Sequence, residues 1–263
     1  MSIAQPIQPT MSPIRRPQSL SDLQIPEDGR GLAVGETGGG KSVLIGRLMQ
    51  HWREKMSQPR ILIIDTKPRF RATHELNGLT TQTTRRYKGM KRGELIPRSV
   101  VLPAGVHVRH AMQQAWRQGF NTVIAQHEDA YDWHKAAVHW FYRDSKDGYH
   151  QLVVVDELAD FFGTAGAFSQ GHPMVRVVRS GRERGVAFLA GTQRPKGIPK
   201  AVLTELSNIY IFRLAYEDDM EHLREMGLPV DAEAPDLENP ADDYAFYFYS
   251  KKSRLRGKTR LKL

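Results

Sequence analysis

The chain has 263 residues, of which 40% are hydrophobic and 25% charged, and these values fit one large soluble α/β domain with a substantial core. It contains no cysteine, which excludes disulfides and thiolate metal sites. The formal net charge of +9 is concentrated at one end, because residues 251–263 hold seven lysines and arginines and no acidic residue. We find no apolar run of about 18 residues and no signal-peptide core, so neither a membrane span nor a leader is predicted.

The ends of the chain differ in composition from the rest. Residues 1–24 are predicted to be a flexible arm, because prolines stand among Ser and Gln and proline disfavours helix and removes a backbone donor. Residues 25–250 are the predicted globular domain, and 251–263 a basic C-terminal tail. We expect this tail to hold DNA, to dock on an acidic capsid or membrane surface, or to aid solubility.

A glycine-rich stretch near the start of the predicted domain matches the pattern G-x-x-x-x-G-K-[ST] without a mismatch. Glycines allow backbone N–H groups to wrap closely around a polyphosphate. Lys41 is expected to contact the β- and γ-phosphates, and Ser42 to place its hydroxyl on Mg²⁺. The predicted ATP-binding residues are Gly35, Glu36, Thr37, Gly38, Gly39, Gly40, Lys41 and Ser42.

Apolar runs alternate with helical patterns along the whole predicted domain. Strands are predicted over 31–34, 60–65, 99–102, 121–125, 151–155, 186–190, 208–212 and 243–249. Helices are predicted over 43–49, 107–118, 128–145, 172–184, 199–206 and 217–226. This alternation predicts an α/β fold with a mostly parallel central sheet and helices on both faces.

Two carboxylates follow the apolar run 152–155, at the predicted carboxyl end of a buried strand. Open α/β sheets bind their ligands at that end. Asp156 is therefore predicted to hold the Mg²⁺ shell, and Glu157 to polarise the water that attacks ATP. The alternative is a solvated strand end.

A third strand, 186–190, also ends in polar residues. Gln193 follows it closely, and we predict that its side chain senses the γ-phosphate beside Asp156 and Glu157. By itself this signal is weak, since a Thr-Gln pair after a strand is common turn chemistry.

Five stretches together resemble the FtsK/HerA superfamily of DNA-pumping ATPases, with order and spacing intact across residues 30–215. They are Gly35–Ser42, 63–68, Val153–Glu157, 181–185 and Thr192–Pro195. The resemblance implies a RecA-like P-loop NTPase fold, a ring that is commonly a hexamer, and ATP bound between subunits. One departure is Thr66, where the family usually has proline.

Within that superfamily, the chain has no room for a membrane anchor or an extra N-terminal barrel, and it is most similar to genome-packaging ATPases of tailless viruses with internal membranes. The implied function is a Mg²⁺-dependent, ATP-hydrolysing motor that moves double-stranded DNA, most specifically a viral genome into a preformed capsid. Expected partners are DNA, further copies of the chain, and capsid vertex or viral membrane proteins. The expected location is the host cytoplasm or the virion vertex.

Three other functions stay open at this point. The first is a plasmid or mobile-element DNA-transfer ATPase, and the second is a secretion-type ATPase that moves protein. The third is a structural protein whose bound nucleotide stabilises a capsid vertex. Asp156, Glu157 and Gln193 argue against the third, because a protein that only binds nucleotide needs no positioned base.

A ring ATPase needs a cation supplied by the neighbouring subunit to stabilise charge on the γ-phosphate. The candidates are Arg176, Arg179, Arg182 and Arg184. Arg176 and Arg179 share a helix face, and Arg179 can pair with Glu183 at i+4, so a solvated or ion-paired face is an equally weighted alternative. We hypothesise that Arg182 or Arg184 acts across the interface.

One internal segment is rich in cations and suits DNA. Translocation that ignores sequence needs phosphate contacts rather than base readout, and dense flexible cations provide them. The predicted DNA contacts are Arg85, Arg86, Lys88, Lys91 and Arg92. The alternative is a solvated loop that faces away from the pore.

Overall fold

The computed structural model describes most of the predicted globular domain. The described residues are 16–67, 69–75, 96–102, 106–126, 131–145, 149–162, 171–228, 230, 244–251 and 255–260. The basic segment 85–92, predicted above to contact DNA, lies outside them.

The strands of this part of the chain form a single sheet. They are β1 (Arg30–Val34), β2 (Pro59–Asp65), β3 (Ala72–Glu75), β4 (Ile96–Leu102), β5 (Thr122–Gln126), β6 (His150–Val155), β7 (Val186–Thr192), β8 (Asn208–Ile211), β9 (Ala245–Ser250) and β10 (Arg256–Arg260). Their order is β10-β9-β8-β1-β7-β6-β2-β5-β4-β3. Neighbouring strands are parallel except β8 with β9 and β9 with β10, so the predicted mostly parallel sheet is confirmed.

Helices cover both faces of this sheet, as predicted. They are α1 (Leu20–Leu23), α2 (Lys41–Lys55), α3 (Val108–Arg117), α4 (Tyr131–Arg143), α5 (Pro173–Ser180), α6 (Lys200–Leu203) and α7 (Glu217–Glu225). Helices α1 and α2 pack on one face, and α3 to α7 contribute to the core on the other. The central strands are continuous apolar runs because both of their faces are buried.

The parallel arrangement determines where functional residues gather. The register aligns Val34, the last residue of β1, with Thr192, the last residue of β7, and Val155, the last residue of β6, with Ala190, so the three strands end within two residues of one another. We call the side of the sheet where these strands end the carboxyl edge, and the opposite side the amino edge. Residues that follow β1, β2, β6 and β7 are thereby brought together from distant parts of the sequence.

The two predicted ends of the chain are partly built into the fold. Residues 20–23 form helix α1 instead of continuing an extended arm, with Ser19 and Asp22 completing a capping box and Leu23 buried. Residues 256–260 of the predicted tail form β10, which pairs with β9. The division into arm, domain and tail stays a prediction, but parts of both ends contact the sheet.

One predicted helix is interrupted. The pattern over 172–184 predicts one element, whereas α5 ends at Ser180 and a 3₁₀ turn follows over Arg182–Arg184. A Cβ atom at Gly181 would lie 2.3 Å from the carbonyl oxygen of Val177, so the backbone here leaves no space for a side chain. Two other 3₁₀ turns lie at Ala159–Phe161 and Pro195–Gly197. None of the helices in the described ranges has the length and apolar character needed to span a bilayer.

Helix α2 carries the phosphate loop, and its packing provides a test of the fold. Leu48 is fully buried against the sheet, and replacing it with alanine leaves a cavity that we expect to lower the free energy of unfolding by about 2–5 kcal/mol. Val43 lies on the same helix with 41% of its surface exposed, so Val43→Ala is a matched control expected to change stability by less than about 1 kcal/mol. Urea unfolding of both variants measures the difference, and equal losses would contradict this packing.

Candidate nucleotide-binding site

The phosphate loop follows β1 at the carboxyl edge and ends at the first turn of α2. Gly35 has φ +150°, and a Cβ there would lie 2.5 Å from that of Phe212, so only glycine fits. Gly40 is the N-cap of α2 with φ +103°, a conformation that favours glycine. The first N–H groups of α2 are therefore directed toward the loop, where an anion can accept hydrogen bonds from them.

Lys41 is folded back onto this loop. Its Nζ donates to the carbonyl oxygens of Gly35 and Glu36 at 2.6 and 2.7 Å, and the residue is 5% exposed. Burial lowers the pKa of Lys41 to about 8, although the nearby carboxylate of Glu157 opposes this change. The ammonium group thus donates to two neutral carbonyl oxygens. Charged phosphate oxygens can take the place of these carbonyls.

Ser42 and Asp156 meet at the carboxyl edge, as the metal-site prediction requires. The Ser42 hydroxyl donates to Oδ1 of Asp156 at 3.3 Å. Asp156 is 4% exposed, and burial raises its pKa while the guanidinium of Arg69 opposes the shift. A hydroxyl and a carboxylate are oxygen ligands of the kind that Mg²⁺ binds, so this pair fits the implied ion.

A residue that the sequence analysis did not select already contacts that pair. Arg69 donates from Nη1 to the Ser42 hydroxyl at 2.9 Å and to Oδ1 of Asp156 at 3.3 Å. Its Nε lies 3.2 Å from Oδ2 of Asp156. A positive charge therefore lies between the two predicted metal ligands.

Glu157, the predicted base, is held by the end of β7. Thr192 donates its hydroxyl to Oε1 at 2.5 Å, and the N–H of Gln193 donates to the two carboxylate oxygens at 3.1 and 3.0 Å. Glu157 is 5% exposed, and burial raises its pKa while these hydrogen bonds oppose the change. The carboxylate is thus fixed in one orientation, which is what positioning a water requires.

Gln193 connects this carboxylate with the phosphate loop. Its Oε1 accepts a hydrogen bond from the Thr37 hydroxyl at 2.8 Å, while its backbone N–H donates to Glu157. The structure therefore brings Gln193 beside both the loop and the predicted base. A role in sensing the γ-phosphate stays a prediction.

Glu36, the second residue of the phosphate loop, is held by contacts with Arg213. Glu36 forms an ion pair with Arg213, which follows β8, and its N–H donates to the Arg213 carbonyl at 2.8 Å. Arg213 was not selected from the sequence, and Thr192 was named only as part of the stretch 192–195, without a role of its own. Both stand directly at the carboxyl end of a strand beside a predicted site strand, and that position is the signal that could have found them.

The candidate trans-acting arginines lie away from the phosphate loop of their own chain. Arg182 and Arg184 precede β7 and so lie at the amino edge. Arg182 pairs with Asp28 at 2.7 Å, and the guanidinium of Arg184 lies 4.9 Å from the ring centre of Tyr142. Neither reaches the carboxyl edge of its own chain, and both have structural partners where they lie. A role at the nucleotide of a neighbouring subunit stays a prediction.

The other two candidates, Arg176 and Arg179, are exposed on α5. Their places on the helix agree with the shared face expected from the sequence.

Comparisons with known proteins were made by sequence and by structure. Neither the protein-family models nor the curated proteins gave a match to the sequence. Solved structures do match. The genome packaging NTPase B204 from Sulfolobus turreted icosahedral virus 2, in complex with ATP-gammaS, aligns with a TM-score of 0.59 at 14% identity, covering 91% of this chain and 100% of B204.

Two related structures give similar values. The same NTPase in complex with AMPPCP has a TM-score of 0.58 at 16% identity, covering 90% of this chain and 100% of that one. B204, the DNA-packaging ATPase from Sulfolobus Turreted Icosahedral Virus, has a TM-score of 0.53 at 13% identity, covering 89% and 98%. The chain has the fold of these B204 proteins. The predicted P-loop NTPase fold is thereby confirmed.

Asp65 organises the loop that carries Arg69. Its Oδ2 accepts hydrogen bonds from the N–H groups of Arg69 and Phe70 at 2.7 and 2.9 Å, and from the Gln126 amide at 3.1 Å. Asp65 is fully buried, and this burial raises its pKa to about 6 despite the hydrogen bonds. The folded protein therefore binds a proton at Asp65 more tightly than the unfolded chain does.

This difference predicts a pH dependence. As pH rises from about 4 to about 6, the unfolded chain ionises Asp65 first, so wild type loses up to about 2 kcal/mol of stability that Asp65→Asn does not lose. The variant should thus gain stability relative to wild type across this range. Urea unfolding of both proteins at several pH values measures the gain, and parallel pH profiles would show that Asp65 does not titrate in this way.

Proposed function

We propose that this protein is a Mg²⁺-dependent ATPase that assembles into a ring and moves double-stranded DNA. The observation that carries the proposal is the meeting of Lys41, Ser42, Asp156 and Glu157 at one edge of the sheet, with Gln193 joining the phosphate loop to the base. The nucleotide complexes of the structural neighbours support ATP as the ligand.

The residues have separate roles in this proposal. The backbone N–H groups of the loop hold the phosphates, and Lys41 binds the β- and γ-phosphates after leaving the carbonyls of Gly35 and Glu36. Ser42 and Asp156 would hold Mg²⁺. Bound Mg²⁺ supplies positive charge that stabilises the transferring phosphoryl group.

Glu157 orients and polarises the attacking water. Its hydrogen bonds to Thr192 and Gln193 keep the carboxylate in place, and its burial favours acceptance of a proton. The side chain of Gln193, which now bonds to Thr37, is near enough to the loop to respond when a γ-phosphate enters.

In the proposed ring, a neighbouring subunit supplies the positive charge that stabilises the γ-phosphate. Arg182 and Arg184 at the amino edge serve the nucleotide of a neighbouring subunit. This is consistent with ATP between subunits, because the amino edge of one copy then faces the carboxyl edge of the next. A hexamer is expected from the resemblance to FtsK/HerA ATPases.

The cargo that we propose is a viral genome, packaged into a preformed capsid. Support comes from the FtsK/HerA resemblance and from the B204 neighbours, which are genome-packaging proteins whose length this chain nearly covers. The segment 85–92 is proposed to contact the DNA backbone. Capsid vertex or viral membrane proteins are then the further partners, at the virion vertex or in the host cytoplasm.

A DNA-transfer ATPase of a mobile element is the second candidate, since the same site would serve it. Neighbouring genes for capsid or conjugation proteins separate the two. A protein-secretion motor would hydrolyse ATP without stimulation by DNA. A structural vertex protein would bind ATP and not turn it over.

Steady-state ATP hydrolysis with and without double-stranded DNA tests the core of the proposal. Glu157→Gln should keep ATP binding and reduce turnover by about 100- to 10,000-fold, since the amide cannot accept the proton. Lys41→Ala should lose productive binding or turnover. Glu54→Gln, an exposed site on α2, removes the same charge and should leave turnover unchanged.

The outcomes separate the candidates. Stimulation by DNA that vanishes in Glu157→Gln supports the translocase. Hydrolysis indifferent to DNA favours a protein cargo or a missing vertex partner, and normal turnover by Glu157→Gln rejects the base assignment.

The trans-acting arginines allow a complementation test. Replacing both Arg182 and Arg184 with alanine should lower turnover by about 1,000-fold or more, because the γ-phosphate loses its neighbouring cation. Mixing this variant with inactive Lys41→Ala should restore part of the activity, since some interfaces then combine an intact loop with intact arginines. Unchanged hydrolysis by the double variant would eliminate both residues, and failure of the mixture would argue against action across subunits.

A further inference from the structure

The guanidinium of Arg69 lies where the proposed metal ion would bind. Its Nη1 contacts both proposed ligands at once, at 2.9 Å from the Ser42 hydroxyl and 3.3 Å from Oδ1 of Asp156. Its Nε reaches the other carboxylate oxygen at 3.2 Å. A divalent ion bound to the same oxygens would lie close to this guanidinium, and the two positive charges would repel each other.

We propose that Arg69 is an internal counter-cation, which holds the divalent-cation position of the nucleotide-free protein and leaves it when metal and nucleotide load. This inference rests on the proposed function, because it concerns the same site. It assigns to Arg69 a positioning role that the sequence motifs do not indicate.

The burial of Asp156 explains why a cation is needed before loading. Only 2% of its side chain is exposed, and an unpaired carboxylate at such a place is costly. Arginine suits a temporary role of this kind, since its guanidinium is weakly hydrated. Here it donates a hydrogen bond to Oδ1 and places Nε 3.2 Å from Oδ2. Arg69 therefore offsets the buried charge of Asp156 and contacts its partner Ser42 as well.

The backbone around Arg69 is anchored, whereas its side chain can move. Asp65 holds the backbone of residues 69 and 70, and Thr66 donates to Asp160 at 3.3 Å. By contrast, 30% of the Arg69 side chain is exposed, so the guanidinium can swing into solvent without opening the core. Loading then moves the Arg69 side chain, which lies close to Arg71 in the sequence, while the backbone at residues 69 and 70 stays anchored.

Two consequences follow from this exchange. The nucleotide-free protein should bind divalent ions weakly, since Arg69 competes for their ligands. Nucleotide without metal should leave Arg69 in place, because phosphate binding at Lys41 does not require the oxygens of Ser42 and Asp156.

Binding of Mn²⁺ without nucleotide, followed by the EPR signal of the free ion, tests the first consequence. Arg69→Met keeps the apolar stem and removes the charge, and it should bind Mn²⁺ about tenfold or more tightly than wild type. Arg194→Met is the matched control, since Arg194 also lies at the carboxyl edge but stacks on Tyr216. It removes the same charge and should leave the affinity within about twofold of wild type.

Two results would overturn the proposal. One is an affinity in Arg69→Met no higher than in wild type, and the other is an equal gain in Arg194→Met, which would mean a general charge effect. Adding Asp156→Asn to Arg69→Met should abolish the gain, and retention of the gain would place the ion elsewhere and reject the assignment. Arg69→Lys, which cannot bridge both oxygens, should bind Mn²⁺ with intermediate affinity, and thermal unfolding checks that each variant is folded.

A second readout follows the loop directly. The chain has no cysteine, so Arg71→Cys in a Glu157→Gln background gives one exposed labelling site beside Arg69. A fluorophore there should respond to ATP with Mg²⁺ and not to ATP with EDTA. An equal response in EDTA would contradict the exchange. A protein that binds no ATP would reject the proposed function, and the Mn²⁺ comparison would still decide the role of Arg69.

Discussion

The burial of two adjacent carboxylates at the end of β6 is the constraint on which the site depends. Asp156 and Glu157 are 4% and 5% exposed, and burial raises the pKa of both. Buried charges persist only when partners compensate for lost water. Asp156 contacts the guanidinium of Arg69 and the hydroxyl of Ser42. Glu157 instead accepts hydrogen bonds from donors at the end of β7. The two carboxylates therefore have different partners and can perform different tasks.

Strand order makes this division possible. Because β6 lies between β2 and β7, the loop after β2 can supply a cation to Asp156 and the turn after β7 can supply donors to Glu157. Backbone bonds continue the alignment past the strands, with the N–H of Asp156 donating to Ile64 and that of Leu158 donating to Gly191. A Cβ at Gly191 would lie 2.7 Å from the carbonyl oxygen of Asp156, so close approach of the chains is part of the arrangement.

Much of this could be predicted because the signals are local. The phosphate loop and the Asp-Glu pair after an apolar run each occupy one short stretch, and alternating patterns predict the parallel sheet. Strands β3 and β10 were missed because they are polar edge strands without an apolar run. Arg69 was missed for another reason: its partners lie 27 and 87 residues away, and only the order of strands brings them together.

Two cations at the site, Lys41 and Arg69, are engaged with oxygens of the chain itself. Lys41 is bonded to two loop carbonyls, and Arg69 to the Ser42 and Asp156 oxygens. In the proposed loading, phosphate oxygens would replace the carbonyls at Lys41, and a metal ion would replace the guanidinium at Asp156. Such an exchange keeps buried charges compensated at each stage. Affinity would then depend on the difference between old and new partners, so residues that position Lys41 and Arg69 would help to determine how tightly a nucleotide binds.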